Sequence, residues 1–129
     1  MLGKRKTDLT MSLNPLTASR ELALAMLESS EGARCATLSC HPEIGVVSIG
    51  RSPAATIRLN DAYVSRIHAE ITWNAERGTH SIADLGTENG TYVDGLRIRR
   101  PTPLQDGALL RIGRTTLRYR GPSTRSLGD

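Results

Sequence analysis

Ile67-His68-Ala69-Glu70-Ile71-Thr72-Trp73 decides the fold: apolar residues stand at the odd positions and polar ones at the even positions. A period of two sends successive side chains to opposite faces of an extended chain, so the run reads as a strand with one face on a core. By that alternation His68 falls on the face opposite Ile67 and Ala69. Shorter runs of the same character lie on either side, at Cys35–Leu38, Val46–Ile49, Thr56–Leu59, His80–Asp84, Thr91–Val93, Leu96–Arg99, Ala108–Ile112 and Thr116–Tyr119. Turn residues punctuate them. Asp94-Gly95 separates two runs by two residues, which is the signature of a tight hairpin. Gly113-Arg114 and Asp106-Gly107 mark further reversals. Many short strands with this punctuation specify an all-β domain, a sandwich or barrel.

Ahead of these runs the pattern changes. Ser19 to Ser30 reads as one short helix: Ser19 or Thr17 caps it, Leu22, Ala25, Met26 and Ser29 share a face, and Gly32 ends it. Residues 1–16, with Lys4, Arg5 and Lys6, read as a mobile leader. The expected organisation is an N-terminal extension over 1–32 with its helix at 19–30, a β-domain over 33–120, and a tail over 121–129.

The chain has 129 residues, 38% of them hydrophobic and 23% charged, which suits one globular domain. There is no Phe, so Ile, Leu, Val and Ala must build the core around Trp73, Tyr63, Tyr92 and Tyr119. No apolar run is long enough to span a membrane and no secretory signal stands at the start, so a cytoplasmic setting with Cys35 and Cys40 reduced is expected. Cys40-His41 is followed by no second ligand pair at zinc spacing, so neither metal nor cofactor is expected. The net charge is +4 with an isoelectric point near 9.6, and Lys4 and Lys6 are the only lysines. An arginine bias suits phosphate recognition, because the planar guanidinium meets two oxygens at once. It can equally reflect genome composition.

Three polar segments interrupt the strands: Gly50-Arg51-Ser52-Pro53, Val64-Ser65-Arg66-Ile67-His68, and Asp84-Leu85-Gly86-Thr87-Glu88-Asn89-Gly90-Thr91. Singly each is an ordinary loop. In this order and spacing, Gly50-Arg51, Ser65-x-x-His68, Asn89-Gly90-Thr91 and Asp94-Gly95 resemble the forkhead-associated family, from about Cys35 to Tyr119.

The resemblance implies a β-sandwich of two antiparallel-rich sheets, the helix lying outside it, whose loops bind a phosphothreonine peptide without catalysis. Carried over residue by residue, Arg51 contacts the phosphate, Ser65 donates its hydroxyl to another oxygen, and Arg66 adds a second contact. Asn89 grips the peptide main chain, and Thr87 or the backbone around Glu88 completes the pocket. Gly50, His68, Gly90 and Thr91 are implied scaffold, and Tyr63 is placed where residues beyond the phosphothreonine are read. Glu88 departs from the family's usual Ser or Thr, and a carboxylate near a phosphate is repulsive if it faces the pocket. Asp94 replaces the usual second Asn and suits the same turn. The implied partners are phosphothreonine proteins, either substrates of a Ser/Thr kinase or the kinase itself, and the implied role is a small adaptor. Phosphorylation of Thr7 or Thr10 would let the leader fold back into the site and regulate it.

Other classes are weaker. His68-Ala69-Glu70 is half of a zinc deaminase signature, but the Pro-Cys-x-x-Cys half is missing. Ser65 and His68 lack a third orienting acid, so no complete catalytic constellation stands in the sequence. Arg97, Arg99, Arg100, Arg111, Arg114, Arg118 and Arg120 could form a basic face for nucleic acid. The scarcity of stacking aromatics argues against single strands. A phosphate-independent interaction domain on the same fold is the remaining alternative.

Overall fold

The computed structural model describes residues 24–41, 43 and 45–122. In chain order their strands are β1 (Leu24–Ser29), β2 (Arg34–Ser39), β3 (Val47–Gly50), β4 (Ile57–Arg58), β5 (Ala69–Asn74), β6 (Thr79–Asp84), β7 (Thr91–Val93), β8 (Leu96–Arg97), β9 (Thr102–Pro103), β10 (Leu109–Ile112) and β11 (Thr115–Arg120). They assemble into a six-stranded sheet, β2-β1-β11-β10-β7-β8, and a five-stranded sheet, β4-β3-β5-β6-β9. Among the described strands only β3 and β4 pair in parallel. The expected all-β sandwich is what forms.

Alternation builds the core. Ala25, Leu27, Leu38, Leu110, Ile112, Leu117 and Tyr119 face inward from the six-stranded sheet, and Ile49, Ala69, Ile71 and Ile82 meet them from the five-stranded one. Each fully buried Leu or Ile is worth about 1.5–3 kcal/mol over its exposed state, so this aliphatic layer is the main source of stability. The Asp94-Gly95 hairpin joins β7 to β8 with Val93 opposite Leu96. Both turn residues have positive φ, 51° and 86°, which is the type I′ geometry. Every strand expected between Cys35 and Tyr119 is present, with ends shifted by a residue or two.

Two expectations are corrected. Leu24–Ser29, all but the last described residue of the stretch read as a helix over 19–30, is strand β1, and it lies inside the sandwich. Leu, Ala, Met and Glu are strong helix formers, so local propensity favours a helix. The pairing of β1 with β2 on one side and β11 on the other overrides it, and burial of Ala25 and Leu27 follows the period of two. Gly32, read as a helix stop, sits instead in the β1–β2 turn, where its N–H donates to the Ser29 carbonyl. Residues 19–23, and Thr7 and Thr10, lie outside the described residues.

The second correction concerns His68. Ile67, expected inside, is 38% exposed, whereas His68 is wholly buried. The strand begins at Ala69, and the parity of side chains holds only within a regular ladder. Before Ala69 the chain is a loop, and its one histidine is drawn inward by partners waiting there.

Candidate functional site

The β3–β4, β4–β5 and β6–β7 loops converge at one end of the sandwich. Two backbone bonds join the first pair: Arg51 N–H donates to the Ser65 carbonyl and Ser52 N–H to the Arg66 carbonyl, both at 3.0 Å. This approach demands Gly50. A Cβ there would stand 2.0 Å from the Arg66 carbonyl oxygen, a backbone atom that cannot swing away. The Gly-Arg pair is thus one device, in which the glycine lets the loops close and the arginine stands on the closed edge.

Arg51 is exposed, and its Nε donates to the Val64 carbonyl at 3.0 Å. Among the described residues that is the only hydrogen bond of its guanidinium, so the forked end is oriented and unspent. Ser65 is half-buried beside it, and among the described residues its hydroxyl makes no hydrogen bond. Arg66 is exposed. Asn89, also exposed, donates from Nδ2 to the Tyr63 carbonyl at 2.9 Å, which ties the β6–β7 loop to the β4–β5 loop and leaves Oδ1 as an acceptor. Glu88 is exposed to solvent, so its carboxylate does not occupy the closed side of the loop.

His68 holds these loops together from below. Ser65 N–H donates to Nδ1 at 2.9 Å, which makes Nδ1 the unprotonated nitrogen. Nε2–H then donates to the Gly90 carbonyl at 2.9 Å. One neutral imidazole therefore links the Ser65 loop to the Asn89 loop, with both nitrogens satisfied.

Asp84 organises the third loop. Its Oδ2 accepts the N–H groups of Gly86 and Thr87, each at 2.9 Å, and its Oδ1 accepts the hydroxyls of Thr87 and Thr91, each at 2.7 Å. Burial pushes this carboxyl up, but the bonds from the Thr87 and Thr91 hydroxyls and the Thr87 and Gly86 amides outweigh it and hold the pKa below the ordinary value. Thr87 spends its hydroxyl inside the loop, donating to Asp84 and accepting from Gly90 N–H at 3.0 Å. Thr91 is buried and crosses from β7 to Asp84 on β6, so the two sheets are tied where the loops emerge.

Sequence reasoning missed three residues of this assembly: Asp84 as an organiser, Asp61 and Arg97. Asp61 accepts Tyr63 N–H, Arg114 N–H and the Thr115 hydroxyl, at 2.8, 2.8 and 2.7 Å, joining the β4–β5 loop to the β10–β11 turn. Desolvation pushes its pKa up, but these bonds together with the Arg114 charge outweigh it and draw it below the ordinary value. The same clasp sets the Arg114 guanidinium over the Tyr63 ring, 4.3 Å from its centroid. Arg97 Nη2 donates to the Thr87 and Glu88 carbonyls at 3.2 Å, backing the β6–β7 loop. A carboxylate two or three residues ahead of a Gly-Thr pair is an Asx-turn signal that could have flagged Asp84. Nothing local marks Arg97.

Comparison with known proteins converges on these same segments. The model of the FHA domain matches residues 47–113, which carry all three loops. This chain belongs to the FHA domain family. It is 33% identical over 123 residues to the FHA domain-containing protein FhaB of Mycolicibacterium smegmatis, an alignment covering 93% of this chain and 75% of that protein. The FHA domain also matches a structure solved in a structural and functional analysis of phosphothreonine-dependent FHA domain interactions, with 32% identity and a TM-score of 0.63 over 75% of this chain and 95% of that one. A third match is Mycobacterium tuberculosis EmbR in complex with a low-affinity phosphopeptide, 27% identical with a TM-score of 0.67, covering 83% of this chain and 28% of that one. Among the described residues no helix is long and apolar enough to cross a membrane.

Proposed function

We propose that this FHA domain is a non-catalytic module that binds phosphothreonine on a partner protein and acts as an adaptor in Ser/Thr kinase signalling. The observation that carries the reading is the Arg51–Ser65 edge: an arginine oriented by its own Nε, hydrogen-bonded through the backbone to a serine whose hydroxyl is unspent. A phosphate dianion accepts from both. Arg66 extends the positive edge. Asn89, clamped to Tyr63 through Nδ2, offers Oδ1 to a peptide N–H and fixes register. Thr87 joins His68, Gly90 and Thr91 as scaffold, since its hydroxyl is consumed within the loop. Glu88, being exposed, weakens binding only through a screened repulsion. The relative studied for phosphothreonine-dependent interactions supports the choice of ligand.

The test is titration of a phosphothreonine peptide library, with phosphoserine and unphosphorylated controls, onto the wild-type chain and Arg51→Ala. A charge-assisted contact is worth about 1.5–3 kcal/mol, so the substitution should weaken the selected peptide roughly 10- to 150-fold without lowering the melting temperature. Binding that ignores the phosphate, or survives loss of Arg51, would reject the reading.

A further inference from the structure

The loop site uses few of the arginines. The register shows where several others stand. Across the outer face of the six-stranded sheet, Arg97 on β8 pairs with Tyr92 on β7, and Tyr92 with Arg111 on β10. In the next row Leu109 on β10 pairs with Arg118 on β11, Arg118 with Glu28 on β1, and Glu28 with Arg34 on β2. Beyond it Arg120 pairs with Met26. Residues opposite one another in a ladder share a face. Four arginines, Arg97, Arg111, Arg118 and Arg120, therefore stand on one surface, with Arg34 exposed at the bulge between β1 and β2, against a single strand carboxylate, Glu28, which is bonded to Arg120 at 3.1 Å. The outer face of the other sheet is less charged: Ser48, Glu70 and Ala83 run across it in register, with Thr72 opposite Ser81 alongside and Arg58 on the edge strand β4 as its strand arginine.

Several of these cations are held in place. Arg111 stacks on Tyr92, 4.0 Å from the ring centroid, and donates from Nη1 to the Gly113 carbonyl at 3.3 Å. Arg118 Nη1 donates to the Gly107 carbonyl at 2.7 Å. Part of the ordering cost of a docking surface is thus met before any partner arrives. The face is also continuous with the loop site, because Arg97 at its edge carries the Thr87 and Glu88 carbonyls.

We propose that this face is a second docking surface, taking an acidic stretch of the same phosphorylated protein that the loops hold; this rests on the phosphothreonine reading above. The chain's own outlying segments do not fit: residues 1–23 carry Lys4, Arg5, Lys6 and Arg20 against Asp8 and Glu21, and residues 123–129 balance Arg125 with Asp129. A polypeptide fits better than a nucleic acid. Leu109 and Met26 interleave the charges, and they offer apolar contact that alternating side chains can use and a phosphate backbone cannot.

The probe is the phosphothreonine peptide chosen by the library, alone and joined to a block of alternating Glu and Leu at either end. A linker of about ten Gly and Ser residues has a root-mean-square reach of roughly 17 Å. Both peptides are titrated onto wild type and the double variant Arg111→Ser, Arg120→Ser, whose melting curve should match wild type. The acidic block should tighten binding to wild type about tenfold, the work of two or three surface ion pairs, and the gain should fade with salt. The variant should bind the short peptide as wild type does and lose the gain. No gain in wild type, or a gain that survives the two substitutions, overturns the proposal. So does an unphosphorylated mixed-sequence DNA duplex that binds wild type more tightly than the acidic block and is released by the same substitutions. Failure of the short peptide itself shows before any block is added, sinks the loop-site reading, and takes this one with it.

Discussion

Two buried histidines face the interior of this sandwich, and they do different work with the same chemistry. His68 accepts from Ser65 N–H and donates to the Gly90 carbonyl, so both partners belong to ligand-side loops. His80, on β6, accepts the Tyr119 hydroxyl at Nδ1 and donates from Nε2 to the Ser39 carbonyl, both at 2.8 Å, so both partners belong to the opposite sheet. Its ring also lies edge-on between Trp73 and Tyr119, with centroids 5.0 and 5.6 Å away. The first pins loops to each other; the second pins sheet to sheet. A buried, fully satisfied histidine is therefore no sign of function by itself, and what its two nitrogens connect decides its role.

The largest expected effect separates stability from binding. His80→Ala strips the Ser39 carbonyl of its imidazole donor, takes from the Tyr119 hydroxyl its acceptor while leaving it Thr79 Oγ1 and the residue-80 N–H, and opens a void among aromatic rings. One lost partner costs about 1–3 kcal/mol, and the void adds to it, so a loss near 3–4 kcal/mol is expected. Thermal denaturation should show it, while affinity for the selected phosphopeptide at a temperature where the variant is folded should stay within about twofold, inside the reach of one weak surface contact. A parallel fall in affinity would mean that the far end of the sandwich positions the loops after all.

His68→Ala should invert the pattern. The Ser65 N–H, half-buried, can rehydrate, whereas the Gly90 carbonyl is buried and loses its donor, so the stability loss should be about 1–3 kcal/mol. Affinity should fall about tenfold, since the Arg51–Ser65 edge and Asn89 are no longer held in one geometry and part of their ordering must come out of binding. Arg51 itself is untouched, so the remaining binding should still require phosphate. If affinity is unchanged, the bridge is structural and the histidines are equivalent.

How far the sequence could carry this comparison differs at the two ends. Ser65, His68 and Asn89 stand in a spaced pattern, so the loops that the structure brings together are marked in the sequence without coordinates. The hairpin at Asp94-Gly95 was legible for a local reason, because two residues with positive φ sit between alternating runs. His80 looked like an ordinary polar position in a strand, since its partners lie 39 and 41 residues away in the chain. For the same reason local propensity points to a helix at β1: Met26 pairs with Arg120, and no window of helix formers shows a partner that distant. β9, only Thr102–Pro103, is too short for any period, and its proline suits the sheet edge that it occupies. Arg97 and Asp61 act across loops and carry no local signal. What is written in local pattern is read from local pattern, and contacts made by closure of the sandwich are not.

The smallest and most discriminating effect is that of pH. Burial depresses the His80 pKa below 6.5, and the bond to the Ser39 carbonyl only partly offsets it. Below 6.5 the unfolded chain takes up a proton that the folded one refuses, so stability falls as the medium is acidified through that window, by at most about 1.4 kcal/mol per pH unit. Asp84 acts lower. Its folded pKa lies under the ordinary 3.8, so its contribution is present above that value and is lost as pH falls through the depressed folded one. Denaturant titrations should therefore show two declines, one starting near 6.5 and another below 3.8. His80→Gln should flatten the upper decline and leave the lower one. Asp84→Asn should shrink the lower decline to the part that Asp61, also held below 3.8, contributes, and at neutral pH it should also weaken peptide binding, because an amide nitrogen replaces one of the two oxygens that accept from Thr87, Thr91 and Gly86. An upper decline that persisted in His80→Gln would place the acid-sensitive group among the loops, and the division of labour between the two histidines would have to be redrawn.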